Sequence, residues 1–97
     1  MPSYDPKREP IDSTRPSAYS RAEWLRIVSH LRLSPRQAET LGLAILGYSD
    51  KEIAMQLKIV PRTVRDHIED CKERLGTRRR TTFGHVTIVV FRKLYRV

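Results

Sequence analysis

The stretch Ser49–Gly76, SDKEIAMQLKIVPRTVRDHIEDCKERLG, constrains the fold of this chain more than any other segment. Ser49 is followed three residues later by Glu52, a capping-box pattern that predicts the start of a short helix. A break follows near Lys58–Val60, and Pro61 has the fixed φ and the missing N–H that suit the first turn of a second helix. Two helices joined by so short a turn form a helix-turn-helix, whose second helix enters the major groove of DNA.

The second helix, 61–75, has one apolar face and one charged face. Four side chains at helical spacing predict its buried side: Val64, Ile68, Cys71 and Leu75. Its four basic residues are balanced by four acidic ones, so the helix itself carries no net charge.

Length and charge limit the function classes. Ninety-seven residues suggest one small domain with a modest core, which favours a binding module over an enzyme. The net charge of +8 and the pI near 10.3 favour a polyanionic partner. The single cysteine fits a reducing cytoplasm, and no apolar run is long enough to span a bilayer. We therefore expect a cytoplasmic protein with no membrane association.

The rest of the chain is predicted to support the helix-turn-helix. Residues 1–17 are rich in proline and poor in aliphatic side chains, which predicts a flexible, disordered N-terminal arm. Residues 18–97 form the predicted DNA-binding domain, with an extra helix at 20–32 that begins at Ser20 and has Glu23 at the capping-box position. Ser34 and Pro35 mark the start of the next helix.

The last segment, Thr77–Val97, contains six basic residues and no acidic one, so most of the excess charge lies in it. Its run VTIVVF is rich in β-branched residues and by propensity alone could be a strand. A lone strand would have no partner in a helical chain, which favours a helix with Phe83, Val86, Val90 and Leu94 on one side.

From Leu33 to about Val90 the sequence LSPRQAETL…LGYSDKEIA…TVRDHI…RLG…RRRT resembles the DNA-binding domain of LuxR-type transcription regulators, also called GerE- or FixJ/NarL-type. The resemblance implies an all-α, four-helix bundle over 33–97. It also implies that the third helix of that bundle lies in the major groove and that the fourth commonly forms a dimer contact. The last segment is accordingly expected to be helical.

Four positions depart from the family pattern. Lys58 replaces a frequent glycine in the turn, and Val60 replaces a Ser or Thr cap, which leaves one N–H of the first helical turn without its usual partner. Asp66 and Glu69 are acidic where related proteins often place uncharged or basic residues. A carboxylate close to phosphates weakens binding, although one aimed at a base edge accepts a hydrogen bond from cytosine.

Arg65 is the main candidate for base readout, because a guanidinium binds the O6 and N7 acceptors of guanine with two hydrogen bonds. Its alternative role is a surface ion pair with Glu69, one helical turn later. The other basic and hydroxyl residues of the motif have two possible roles: they contact phosphates, or they are solvated surface residues. The complete predicted DNA-binding set is Lys51, Arg62, Thr63, Arg65, Asp66, Glu69, Arg78 and Arg80.

The predicted dimer interface comprises Trp24, Val86, Val90 and Leu94, with a core position as the alternative role of Trp24. His67 has no cluster of ligands around it in the sequence and is predicted to be structural. Cys71 lies on the apolar stripe and is predicted to be a buried, inert thiol. We expect no metal site and no cofactor.

The sequence thus predicts a sequence-specific regulator that binds double-stranded DNA as a homodimer and is not an enzyme. One alternative is a module like region 4 of sigma factors, which also binds RNA polymerase. Another is a helix-turn-helix that contacts a regulatory protein and has no specific DNA readout. His67 and the Arg74-Leu75-Gly76 exit favour the LuxR type over the sigma type.

Overall fold

The computed structural model describes residues 14–96, and in that range every regular element is helical. This confirms the all-α prediction, including a helix for the β-branched run near the C-terminus. A 3-10 turn, Arg80–Thr82, directly precedes the last helix. The five α-helices are α1 (Arg21–His30), α2 (Pro35–Ile45), α3 (Asp50–Leu57), α4 (Pro61–Leu75) and α5 (Phe83–Tyr95).

Three helices begin with the same reciprocal cap. In each, a serine hydroxyl accepts a hydrogen bond from the N–H three residues on, and the side chain of that residue accepts one from the serine N–H. The pairs are Ser20 with Glu23 at α1, Ser34 with Gln37 at α2, and Ser49 with Glu52 at α3. The serines therefore fix three helix starts, as the sequence predicts.

The turn between α3 and α4 is held by backbone conformation and packing. Lys58 is left-handed, with φ 58° and ψ 45°, a conformation that costs a residue with a side chain roughly 1–2 kcal/mol. Ile59 packs against the core. Val60 is the N-cap of α4, and its side chain cannot accept a capping hydrogen bond. A serine or threonine cap would typically stabilise the helix by about 1 kcal/mol more. At the other end Gly76, with φ 70°, terminates α4.

One hydrophobic core joins all five helices. Its largest fully buried side chains include Phe83, Ile27, Leu41 and Leu43. Trp24, predicted as a dimer contact, is only 2% exposed. The indole fills this core, so the structure corrects that prediction in favour of the alternative role.

The extra helix α1 is confirmed, and aromatic side chains hold it against α5. The Tyr19 ring stacks on Trp24 with 5.8 Å between centroids and lies 5.5 Å from Phe91. The Tyr19 hydroxyl donates to Thr87 Oγ1 at 3.3 Å. These contacts join residues near the N-terminus to α5 near the C-terminus. The N-terminal layer, residues 14–30, therefore packs as part of the helical bundle.

The segment just before α1 differs from the prediction of a flexible arm over 1–17. Thr14 and Pro16 are buried, and the Thr14 carbonyl lies directly on α2 at Gly42. A Cβ added to Gly42 would overlap that carbonyl oxygen, so the absence of a side chain lets the two backbones meet. Residues 1–13 of the predicted arm lie outside the described residues.

Candidate nucleic-acid interface

The helix-turn-helix is a packed unit with one face left open. Ile53, Ala54 and Leu57 of α3 and Val64 and Ile68 of α4 are all buried, and α4 also packs on α2 and α5. Contact on several sides holds α4 in a fixed orientation. Its opposite side is therefore presented to solvent as a surface of defined shape.

The open side of α4 changes sign along its length. Residues spaced three and four apart share a helix face, and Arg62, Asp66, Glu69 and Glu73 form such an exposed row opposite the buried stripe. The first turn of this row is basic and the following turns are acidic. Along this row phosphates are attracted to Arg62 and repelled by the acidic positions that follow, while Lys72 and Arg74 make the last turn of α4 partly basic.

Arg65 lies beside this row, is exposed, and makes no ion pair with any residue in the described range. Its predicted alternative partner, Glu69, is instead paired with Lys72 at 2.8 Å. The guanidinium of Arg65 is therefore open to an external acceptor.

The other predicted contacts at the start of the motif are also accessible. Arg62 and Lys51 are exposed and are not ion-paired within residues 14–96. Thr63 is half-buried, and its N–H donates to the Val60 carbonyl at 3.0 Å. These three residues place two cations and a hydroxyl near the first turns of α3 and α4.

The two predicted acidic positions differ in their surroundings. Glu69 is partly neutralised by Lys72, whereas Asp66 is exposed and has no cationic partner in the described part of the chain. Of these two positions, Asp66 is therefore the one whose charge is less compensated.

The arginine run after α4 divides into two roles. Arg80 bends back to α3, where Nη1 pairs with the Asp50 carboxylate at 2.5 Å and Nη2 donates to the Tyr48 carbonyl at 3.0 Å. The Arg80 guanidinium is thus occupied by intramolecular contacts. Arg78 and Arg79 are exposed, and neither side chain forms an ion pair with any of residues 14–96. The whole run Arg78–Arg80 was a candidate for backbone contacts by its charge, but the predicted DNA-binding set did not include Arg79.

His67 and Cys71 face the interior side of α4. Burial raises the pKa of the Cys71 thiol to about 12, helped by the Asp70 carboxylate, and its sulfur lies 3.5 Å from the Gln37 carbonyl oxygen. Burial also lowers the pKa of His67, and its buried Nδ1 has no hydrogen-bond partner in the described region. The thiol is therefore buried, as predicted, and the raised pKa favours its protonated, less nucleophilic form at neutral pH.

The predicted dimer surface on α5 is mostly turned inward. Val90 is buried, and Val86 and Leu94 are half-buried against the core. The exposed apolar side chains of this helix are Ile88 and Val89, at 43% and 37% exposure. Sequence reasoning missed both because the continuous apolar run gave no strong indication of which side faced the core.

Residues 14–96 contain no candidate membrane span and no candidate metal site. No helix there is both long and apolar enough to cross a membrane. No three or more His, Cys, Asp or Glu side chains converge there as ligands for a metal ion.

A family model, GerE, described as bacterial regulatory proteins of the luxR family, matches residues 31–87. This is more than half of the chain. The protein belongs to the LuxR family. The matched LuxR segment contains α2, α3, α4 and the beginning of α5, so membership confirms the helix-turn-helix of a DNA-binding transcription regulator. Helix α1 and most of α5 lie outside the match, and no curated protein or solved structure matches the chain.

Proposed function

We propose that this protein is a sequence-specific regulator of transcription that inserts α4 into the major groove of double-stranded DNA. The observation that carries the proposal is Arg65, exposed and without an ion pair among residues 14–96, on a helix held by packing on three sides. Arg65 would bind guanine O6 and N7, a contact worth about 1–3 kcal/mol of discrimination against another base. Such a regulator works where the DNA is, and we place it in the cytoplasm.

The remaining cations would position the protein on the sugar–phosphate backbone. Lys51 and Arg62 lie at the first turns of the two motif helices, and Arg78 and Arg79 follow α4. Phosphate contacts of this kind supply affinity and register rather than sequence information. Arg80 would contribute indirectly, by holding the 3-10 turn against the start of α3 through Asp50 and Tyr48.

The acidic turns of α4 limit how the helix can enter the groove. Asp66 and Glu69 would lose affinity near phosphates, so the first turns would lie deepest in the groove and the later turns would tilt away. In that orientation Asp66 can still accept a hydrogen bond from the amino group of a cytosine.

We further propose that the protein binds as a homodimer with one α4 in each half-site. Ile88 and Val89 are the accessible apolar residues of the helix that the family resemblance implies for this contact, with Val86 and Leu94 at its margin. A two-fold dimer would predict a palindromic site whose half-sites are about one helical turn of DNA apart.

Selection of bound duplexes from a random library, followed by fluorescence anisotropy over a salt series, tests the proposal. A recurrent sequence with two related half-sites and salt-dependent affinity is the expected result. Equal affinity for every duplex would exclude specific regulation.

Arg65→Ala tests the base contact within the selected site. The variant should lose about 5- to 150-fold in affinity for that site, the range equivalent to 1–3 kcal/mol, and should lose its preference for one guanine. Arg74→Ala is the matched control, because Arg74 is an exposed arginine in the last turn of the same helix. Equal behaviour of the two variants would contradict readout by Arg65.

The acidic row on α4 favours one other function, contact with a protein in place of specific DNA readout. In that case Arg65→Ala would leave DNA binding unchanged, while charge reversal at Arg78 and Arg79 would abolish the remaining electrostatic binding. Pull-down of RNA polymerase without DNA would instead favour the sigma-like alternative.

A further inference from the structure

Val60 is an exposed aliphatic residue at the start of the recognition helix. Its side chain is 61% exposed and makes no cap to the N–H groups of α4. Among the large apolar residues that are exposed in the described part of the chain, Val60 is the one at the N-terminus of this helix.

Folding gives no reason for a valine at this position. The neighbouring Ile59 packs on the core and Val64 is fully buried, so the apolar contacts of this turn are made without Val60. A serine or threonine hydroxyl at this position would cap the Thr63 N–H, as Ser49 caps the Glu52 N–H in α3, whereas here that N–H donates to the Val60 carbonyl at 3.0 Å. The valine side chain therefore makes no capping hydrogen bond, and its methyl groups are exposed to water.

The floor of the major groove offers one apolar group that such a side chain fits. Residues at the start of a recognition helix meet the base edges, and the thymine C5-methyl is an apolar group recognised by aliphatic contact. Val60 carries no side-chain donor or acceptor, so it gains nothing from a phosphate or from a polar base edge. Arg62, two residues later in the first turn of α4, supplies a charged contact beside it.

We propose that Val60 is a specificity-determining residue that packs against the C5-methyl group of one thymine in each half-site. This inference rests on the proposed function, because it requires α4 to lie in the groove of a preferred sequence. It adds an apolar contact to the polar contact made by Arg65.

The test uses the full chain and the duplex selected from the random library. Each thymine is replaced in turn by deoxyuridine, which removes only the methyl group, and binding is measured by fluorescence anisotropy. The wild-type protein should lose about three- to fivefold in affinity at one thymine per half-site, the factor expected for burial of one methyl group. Val60→Ser should bind the thymine and deoxyuridine duplexes equally.

Two controls separate methyl recognition from general effects. Circular dichroism should show that Val60→Ser remains folded, because the new hydroxyl can cap α4. Met55→Ser removes a side chain that is 79% exposed on α3 and should leave the deoxyuridine effect intact. If Val60→Ser keeps the wild-type sensitivity, or if no thymine is sensitive, the inference is wrong while specific binding stands. If no preferred duplex emerges, the proposed function itself fails.

Discussion

At the scale of single residues, His67 links protonation to stability. Its pKa is lowered because the imidazole is partly buried and lies near Arg36, effects that outweigh the opposing influence of Asp70 and Asp66. The unfolded chain, with a histidine pKa of about 6.5, therefore binds a proton more readily than the folded chain does. The free energy of unfolding should fall as the pH is lowered through about 6.5.

Urea denaturation between pH 7.5 and 5.5 measures this effect in a range above most carboxylate titration. His67→Gln should weaken the pH dependence, while His85→Gln, a change at an exposed histidine of α5, should leave it unchanged. Full pH dependence in His67→Gln would contradict the assignment.

Residue roles were predictable from sequence where the cause is local. Ser49 and Glu52 are three residues apart, so their cap follows from the pattern alone. Arg80 and Asp50 are separated by 30 residues, and their ion pair depends on how the 3-10 turn meets α3. Trp24 is of a residue type common to interfaces and cores, and only the packing of α1 on α5 decides between them.

At the scale of elements, the crossing of the N-terminal segment over α2 depends on Gly42. Gly42→Ala should destabilise the protein by about 1–3 kcal/mol, because the new methyl would meet the Thr14 backbone carbonyl rather than a movable side chain. Urea denaturation followed by circular dichroism measures the change.

Gly84→Ala in α5 is the matched control for that substitution. The nearest atom to its added Cβ is Ile45 Cγ2 at 4.0 Å, an ordinary contact. Helix propensity should then make this variant up to about 1 kcal/mol more stable. Destabilisation of similar size in both variants would show that close approach at Gly42 is not the cause.

Elements were predictable from sequence to the extent that periodicity or a cap marks them. All five helices follow from such signals, with the resemblance deciding α5. The burial of Thr14 and Pro16 was not predictable, because a segment rich in proline and charge carries no signal for docking on α2. The orientation of α5 was also ambiguous, since VTIVVF offers apolar side chains on every face.

At the scale of the whole molecule, the segment that matches the family is shorter than the segment that folds around the common core. The match begins at residue 31, whereas Trp24, Ile27 and Val28 of α1 are buried in the common core. Fully burying each large apolar side chain contributes about 1.5–3 kcal/mol. Their sum is comparable to the roughly 5–15 kcal/mol of total stability that is typical of a domain.

A chain beginning at residue 31 should therefore unfold at a much lower temperature than one beginning at residue 14, which keeps the N-terminal layer. Thermal unfolding followed by circular dichroism compares the two. A cooperative transition at the same temperature in both would show that α1 is dispensable for the fold.

The positive charge is spread unevenly over the whole molecule. Helix α4 is neutral overall, and a net charge of +6 out of the chain's +8 lies from Arg78 onward. In the proposed function, non-specific attraction to DNA would come mainly from this segment and base discrimination from Arg65, so separate substitutions test the two.

The rate at which the single cysteine, Cys71, is alkylated can be used to measure local opening of this fold. Cys71 lies on α4 and is buried against the Gln37 carbonyl of α2. Its raised pKa favours the protonated thiol at neutral pH. An alkylating reagent reaches it only when those helices separate, so the rate of mass increase on labelling reports how often they part. Because the chain contains no second thiol, that rate can be followed with and without DNA in the unaltered protein.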